Sequence, residues 1–203
     1  WYSVYYFNEN DNMDLERYAM AQTKDWSSAS TGSTLFDFNG DGETEIVFSD
    51  EESFYVWGFD GSSGLEPWER LVPYLEDTEH KSWTIHEYPL VADVDADGKA
   101  EIVVTNSHLP GYEDHFGIYV LGAVDDDWVS ARKIWHQHAY SVTNVEDDGF
   151  VGYAPPNYSP YTAADYNNFR LQAPGSFGAL AAPNATLVAE DPCQEGCGDI
   201  TVW

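Results

Sequence analysis

The chain has 203 residues, with 36 acids against 8 bases and a formal net charge of −28; this balance argues against nucleic acid and anionic membrane surfaces, which recruit basic patches, and favours cations as partners. At 43% hydrophobic and 16% aromatic residues it lies outside the low-hydrophobicity class that high charge otherwise marks as disordered, and it is long enough for one sizeable domain or two small ones. No stretch reaches the roughly 18 apolar residues of a membrane span, so no membrane insertion is expected, and a saline habitat would equally explain so acidic and lysine-poor a surface.

The chain begins at Trp1 without a leader pattern, as expected of a processed or excised segment. Ser3–Phe7 reads as a strand, followed by a polar turn over Asn8–Asp14 and the tripeptide Lys24-Asp25-Trp26. Then comes Asp37-Phe38-Asn39-Gly40-Asp41-Gly42-Glu43-Thr44-Glu45, running into Ile46-Val47-Phe48. Side-chain oxygens at loop positions 1, 3, 5 and 9, a glycine at 6 and a carbonyl at 7 can wrap one hard cation. Asp37, Asn39, Asp41 and Glu45 are the candidate side-chain ligands, with Glu43 supplying its carbonyl.

The pattern recurs. Tyr55–Phe59 reads as a strand, Asp60–Gly64 as its turn, and Lys81-Ser82-Trp83 leads to Asp93-Val94-Asp95-Ala96-Asp97-Gly98-Lys99-Ala100-Glu101 and Ile102-Val103-Val104. Here Asp93, Asp95, Asp97 and Glu101 are the side-chain candidates, with the Lys99 carbonyl. One such Asp/Gly cluster is an ordinary turn, but two in register are a calcium signature. An EF-hand would need a carboxylate at position 12 and flanking helices. Position 12 is Phe48 or Val104, and the β-branched runs after each loop indicate metal-pinned β-hairpins.

Tyr119–Ala123 then reads as a strand, Asp125–Asp127 as a turn, and Lys133-Ile134-Trp135 precedes a degenerate third loop. That loop carries Asn144, Glu146 and Asp148 but has Gly152 at position 9, so it should hold a cation weakly or not at all. Lysine and tryptophan two apart on a strand share a face, which would place each recurring lysine either near acids or at an ordinary solvated position. Four short strands per roughly 55 residues is the period of a propeller blade. Most of the 8 tryptophans are expected in the core, and His136 and His138 as hydrogen-bonded structural residues beside Trp135 and Tyr140. Residues 150–203, rich in Pro, Ala and Tyr, read as an irregular tail over the propeller side. Cys193 and Cys197 would form a short-loop disulfide in an oxidising compartment, or half of a zinc site. Asn184-Ala185-Thr186 fits a glycosylation acceptor, as does Asn157-Tyr158-Ser159.

These loops and their spacing resemble the FG-GAP or VCBS repeats of integrin-like β-propellers and of bacterial surface proteins, over roughly residues 3–149, although the Phe-Gly and Gly-Ala-Pro landmarks are poorly kept. The stretch Ile134–Tyr140 and the segment Tyr166–Arg170 resemble the closing part of such a region. In those relatives an immunoglobulin-like adhesion-related domain often follows, and Asp199–Trp203 could begin one. The resemblance implies an all-β fold of antiparallel four-stranded blades, residues 1–149 forming about two complete blades plus partial ones. It also implies two calcium sites and an extracellular or cell-surface location. Closed propellers need at least four blades, so either a longer polypeptide or a homo-oligomeric assembly is expected to supply the rest. No nucleophile elbow, zinc-protease helix, phosphate loop or dinucleotide fingerprint is present. The expected function is therefore a non-catalytic calcium-binding scaffold or adhesion module with a protein or glycan partner. The alternatives are the propeller portion of a polysaccharide-degrading, lyase-like enzyme, or a lectin-like binder with its aromatics gathered at one rim.

Overall fold

The computed structural model describes residues 1–8, 14–27, 31–83, 86–107, 111, 116–142, 145–146, 148–151 and 169–172. Within them the chain is all-β apart from one helical turn, and every ladder between named strands is antiparallel. Strands β1 (Tyr2–Asn8) and β2 (Asp14–Ala21) form a hairpin. Strands β3 (Thr34–Phe36), β4 (Glu45–Ser49), β5 (Phe54–Phe59) and β6 (Leu71–Asp77) form a four-stranded sheet in chain order. A third sheet contains β7 (Leu90–Ala92), β8 (Glu101–Asn106) and β9 (Gly117–Leu121). The helical turn α1 (Pro67–Arg70) precedes β6. No described helix is long and apolar enough to cross a membrane.

The four-stranded sheet is covered on both faces, which explains why β4 is buried throughout although it carries Glu45 and Ser49. Alternation assigns its side chains to opposite faces. Val47 and Val56, cross-strand partners, join Phe36, Phe38 and Phe54 in a core shared with Val91, Ile102 and Val104 of the third sheet. Ile46, Phe48, Tyr55 and Trp57 face the other way and pack with Ala19, Tyr2 and Val4 of the hairpin. Fully burying side chains of this size is worth about 1.5–3 kcal/mol each, so the two faces join the three sheets into a stack.

The expected strands at Ser3–Phe7 and Tyr55–Phe59 are present, and the third begins two residues earlier than expected, at Gly117. Four strands appear in one of the three sheets. The Lys-x-Trp tripeptides, in contrast, lie outside the strands, and their surroundings show why. The Lys24 and Asp25 N–H groups donate to the buried Asp50 carboxylate at 2.9 and 3.1 Å. The Lys81 N–H donates to Asn106 Oδ1 at 3.3 Å. Asp50 and Asn106 occupy the same place after the two acidic loops, so each tripeptide leaves the ladder to bind the neighbouring sheet. The lysines do meet acids in two cases, Lys24 with Glu76 at 3.4 Å and Lys133 with Asp93 at 3.7 Å. Lys81 is instead buried, its Nζ donating to the Glu52 and Thr78 carbonyls.

The tryptophans depart from expectation. Trp57 and Trp128 are buried, but Trp1, Trp26, Trp68 and Trp83 are exposed, Trp26 almost completely. The tripeptides that carry Trp26 and Trp83 lie outside the ladder. Of the tail, residues 169–172 dock on the first edge of the four-stranded sheet. Leu171 bridges Leu35 in parallel, the Leu35 N–H donates to the Arg170 carbonyl at 2.9 Å and the Leu35 carbonyl accepts from the Gln172 N–H at 3.0 Å. The far side of the third sheet carries exposed Ile118 and Val120 on its edge strand β9.

Candidate metal centre

Both acidic loops connect the first and second strands of a sheet, 37–44 between β3 and β4 and 93–100 between β7 and β8. No helix flanks either. Their backbones repeat each other: positions 4 and 6 have positive φ in both, Gly40 (74°) and Gly42 (89°) in the first, Ala96 (67°) and Gly98 (93°) in the second. Glycine takes this conformation freely, whereas a residue with a Cβ pays about 1–2 kcal/mol. Ala96 is thus held in place by the loop around it.

Local hydrogen bonds explain why the spacing folds this way. Side chains at positions 3 and 5 accept from the N–H two residues on: Asn39 from Asp41 at 2.9 Å, Asp41 from Glu43 at 2.8 Å, Asp95 from Asp97 at 3.1 Å and Asp97 from Lys99 at 2.7 Å. The position-9 glutamate begins the following strand and reaches back across the loop. Glu45 Oε2 accepts from the Phe38 N–H at 2.8 Å, and Glu101 Oε2 from the Val94 N–H at 2.9 Å. Glu45 and Glu101 are both buried.

The two loops differ at position 1. Asp37 is satisfied by the loop's own backbone, accepting from the Gly40, Asp41 and Gly42 N–H groups at 2.7, 3.2 and 2.9 Å. Asp93 is 3% exposed, and its Oδ1 has no hydrogen-bond partner among the described residues. Its other oxygen lies 3.7 Å from Lys133 Nζ. Ligand oxygens of Asp93, Asp95 and Glu101 lie within 4.8 Å of one another, the one such group among the described residues. A buried carboxylate oxygen without a donor is costly, and a cation among three carboxylates removes that cost. The all-oxygen donor set suits a hard ion better than zinc or copper.

Electrostatics follow the same geometry. Burial first, then the Asp37 and Asp41 charges, push the Glu45 carboxyl up to about 7 against the Phe38 hydrogen bond. Glu101 is raised for the same reasons, burial leading and Asp95, Asp97 and Asp93 adding to it. A cavity of about 260 Å³ adjoins the second loop, lined by Asp95, Asp97, Lys99 and Glu101 together with Asp126 and Trp128.

Sequence reasoning placed Lys133 either near acids or in solvent, and it meets Asp93; it missed Asp126 as a neighbour of this loop. It also missed the strand of backbone joining the loops. The Val129 N–H donates to the Phe38 carbonyl at 2.9 Å and the Val129 carbonyl accepts from the Ala100 N–H at 3.0 Å. In the third loop, exposed Glu146 and Asp148 close a tight turn through Gly149 and Phe150, and no metal cluster forms there among the described residues. Asn144, Asn157, Asn184, Cys193 and Cys197 lie outside the described residues. His136 bonds the Gly149 carbonyl at 2.7 Å, His138 meets the Arg170 guanidinium at 3.0 Å, and Trp135 stacks on Tyr140. The ring nitrogens of both histidines have partners, as expected, but both side chains are exposed and His138 packs edge-on against Tyr88 rather than beside Trp135 and Tyr140.

The model of one protein family, described as the FG-GAP-like repeat, matches residues 37–104. No curated protein and no solved structure matches the chain. The matched segment opens on Asp37, at position 1 of the first acidic loop, includes β4, β5 and β6 of the four-stranded sheet and ends in β8 just past the second loop. Residues 37–104 are thus similar to an FG-GAP-like repeat, running from one acidic loop through the next.

Proposed function

We propose that this chain is a non-catalytic, calcium-binding module of propeller type that serves as an extracellular or cell-surface scaffold. The observation that carries the reading is the buried Asp93 oxygen without a donor, inside a three-carboxylate group on a loop whose backbone is repeated 56 positions earlier. Asp93, Asp95, Asp97 and Glu101 with the Lys99 carbonyl would hold one ion, and Asp37, Asn39, Asp41 and Glu45 with the Glu43 carbonyl another. Calcium would supply charge neutralisation to a loop that is otherwise self-repelling, at about 1–4 kcal/mol per close pair of carboxylates. The face-to-face packing of antiparallel sheets and the FG-GAP-like match support the propeller architecture and the location, with exposed Ile118 and Val120 as the surface on which a further sheet would pack.

Extracellular calcium modules have dissociation constants of about 10⁻⁴–10⁻³ M, so calcium acts here by mass action on stability. Melting curves with EDTA and with millimolar calcium test the proposal. The melting temperature rises with calcium, and Asp41→Ala and Asp97→Ala each remove part of the rise. An unchanged rise in both variants would refute the ligand assignment.

A further inference from the structure

In a chain where acids outnumber bases 36 to 8, one open groove of about 610 Å³ has two arginines and, among the described residues, no acid on its wall. It lies between β2 and α1 and is lined by Tyr6, Arg17, Tyr18, Leu65, Pro67 and Arg70. A β-bulge shapes it. The ladder passes from Val4↔Ala19 to Tyr5↔Arg17, leaving Tyr18 as the extra residue of β2. Bulges of this kind re-aim a side chain. The Tyr18 ring meets Tyr6 edge-on at 6.1 Å, and the Arg70 guanidinium sits 4.8 Å over its face.

Neither guanidinium forms an ion pair among the described residues. Arg17 donates to the Tyr5 hydroxyl at 3.1 and 3.3 Å, a neutral partner, and Arg70 contacts the Tyr18 ring. The nearby carboxylates have other donors. Glu16 accepts from the Tyr6 hydroxyl at 2.7 Å, Glu69 from the Glu66 N–H at 2.9 Å and Asp60 from the Ser62 N–H at 2.9 Å. Guanidinium groups pair carboxylates in a two-point geometry, and tyrosine, leucine and proline supply apolar walls. The groove falls within the roughly 300–1,000 Å³ typical of small-ligand sites. More distant acids are screened beyond about 8 Å at physiological salt.

We propose that this groove binds a uronic-acid saccharide, with Arg17 and Arg70 on the sugar carboxylate and Tyr6 and Tyr18 against the ring. A rigid pyranose fills such a wall at a lower ordering cost than a flexible acidic peptide. The site shares no lining residue with either acidic loop and does not depend on the calcium assignment.

The test is titration of the calcium-saturated full chain with hyaluronan tetrasaccharide, with cellotetraose and hexaglutamate as comparators, followed by NMR or calorimetry. The expected result is saturable binding of the hyaluronan fragment, weakened about tenfold in each of Arg17→Gln and Arg70→Gln, with the melting temperature of both variants preserved. Tyr6→Ala should weaken it as well, and Arg70→Lys should retain more binding than Arg70→Gln. Absence of saturation at about 10 mM ligand would overturn the proposal. Equal binding of cellotetraose, tighter binding of hexaglutamate, or full affinity in both arginine variants would do the same.

Discussion

Calcium should flatten the dependence of this chain's stability on pH. In the metal-free chain the Glu45 carboxyl is raised from 4.5 to about 7, chiefly by burial, and Glu101 shifts in the same direction. A raised carboxyl favours the protonated fold. Its contribution is complete below the unfolded value of 4.5 and is lost as pH rises through about 7. At about 1.4 kcal/mol per pKa unit, Glu45 alone accounts for about 3 kcal/mol over that window. Calcium must displace this proton, so its apparent affinity at pH 5.5 should be about thirtyfold below that at pH 8. Thermal melts at pH 5, 6, 7 and 8 in EDTA and in calcium provide the assay. The metal-free melting temperature should fall with rising pH while the increment due to calcium grows. Glu45→Gln, which keeps an acceptor for the Phe38 N–H, should flatten the metal-free slope and lose much of the calcium increment. Parallel curves in the two buffers, or an unchanged slope in Glu45→Gln, would refute the assignment of Glu45 as a buried, proton-competing ligand.

Three further outcomes follow from the geometry. Asp50 accepts from the Lys24, Asp25, Glu52 and Ser53 N–H groups and the Tyr55 hydroxyl, so Asp50→Ala should cost about 3–5 kcal/mol in chemical denaturation, because several buried donors lose their partner together. Ala96→Gly relieves a positive φ and should stabilise by up to about 1 kcal/mol once the greater freedom of unfolded glycine is set against it, read as a rise in melting temperature of about 2–4 °C. Lys133→Met removes an ammonium group 3.7 Å from the buried Asp93; with the ammonium itself largely exposed and screened by water the attraction is worth about 0.2–1 kcal/mol, so calcium affinity of the second loop should rise about two- to fivefold, measured by calorimetry in a background where Asp41→Ala silences the first loop.

The acidic loops were legible in sequence because the forces that shape them are local. Asn39, Asp41, Asp95 and Asp97 each bond an N–H two residues on, Gly42 and Gly98 stand where φ is positive, and Glu45 and Glu101 open strands whose β-branched runs announce them. Spacing along the chain is enough to specify such contacts. Strand positions within the repeats were readable for the same reason, since alternation and turn residues act over a few positions.

Only the tertiary structure decided which of these residues have partners from elsewhere. Lys-x-Trp segments leave the ladder because Asp50 and Asn106, about 25 positions later in chain, take their N–H groups, and Trp26 and Trp83 are exposed. Asp93 differs from Asp37 not in its own loop sequence position but in the donors that reach it, and Lys133 arrives from beyond β9. The arginine-lined groove exists only because a bulge in β2 and the α1 turn come together. Contacts between distant segments depend on how sheets stack, which local propensity does not encode; the acidic hairpin loops are written in nine consecutive residues, whereas their electrostatic surroundings are set by the packing of three sheets.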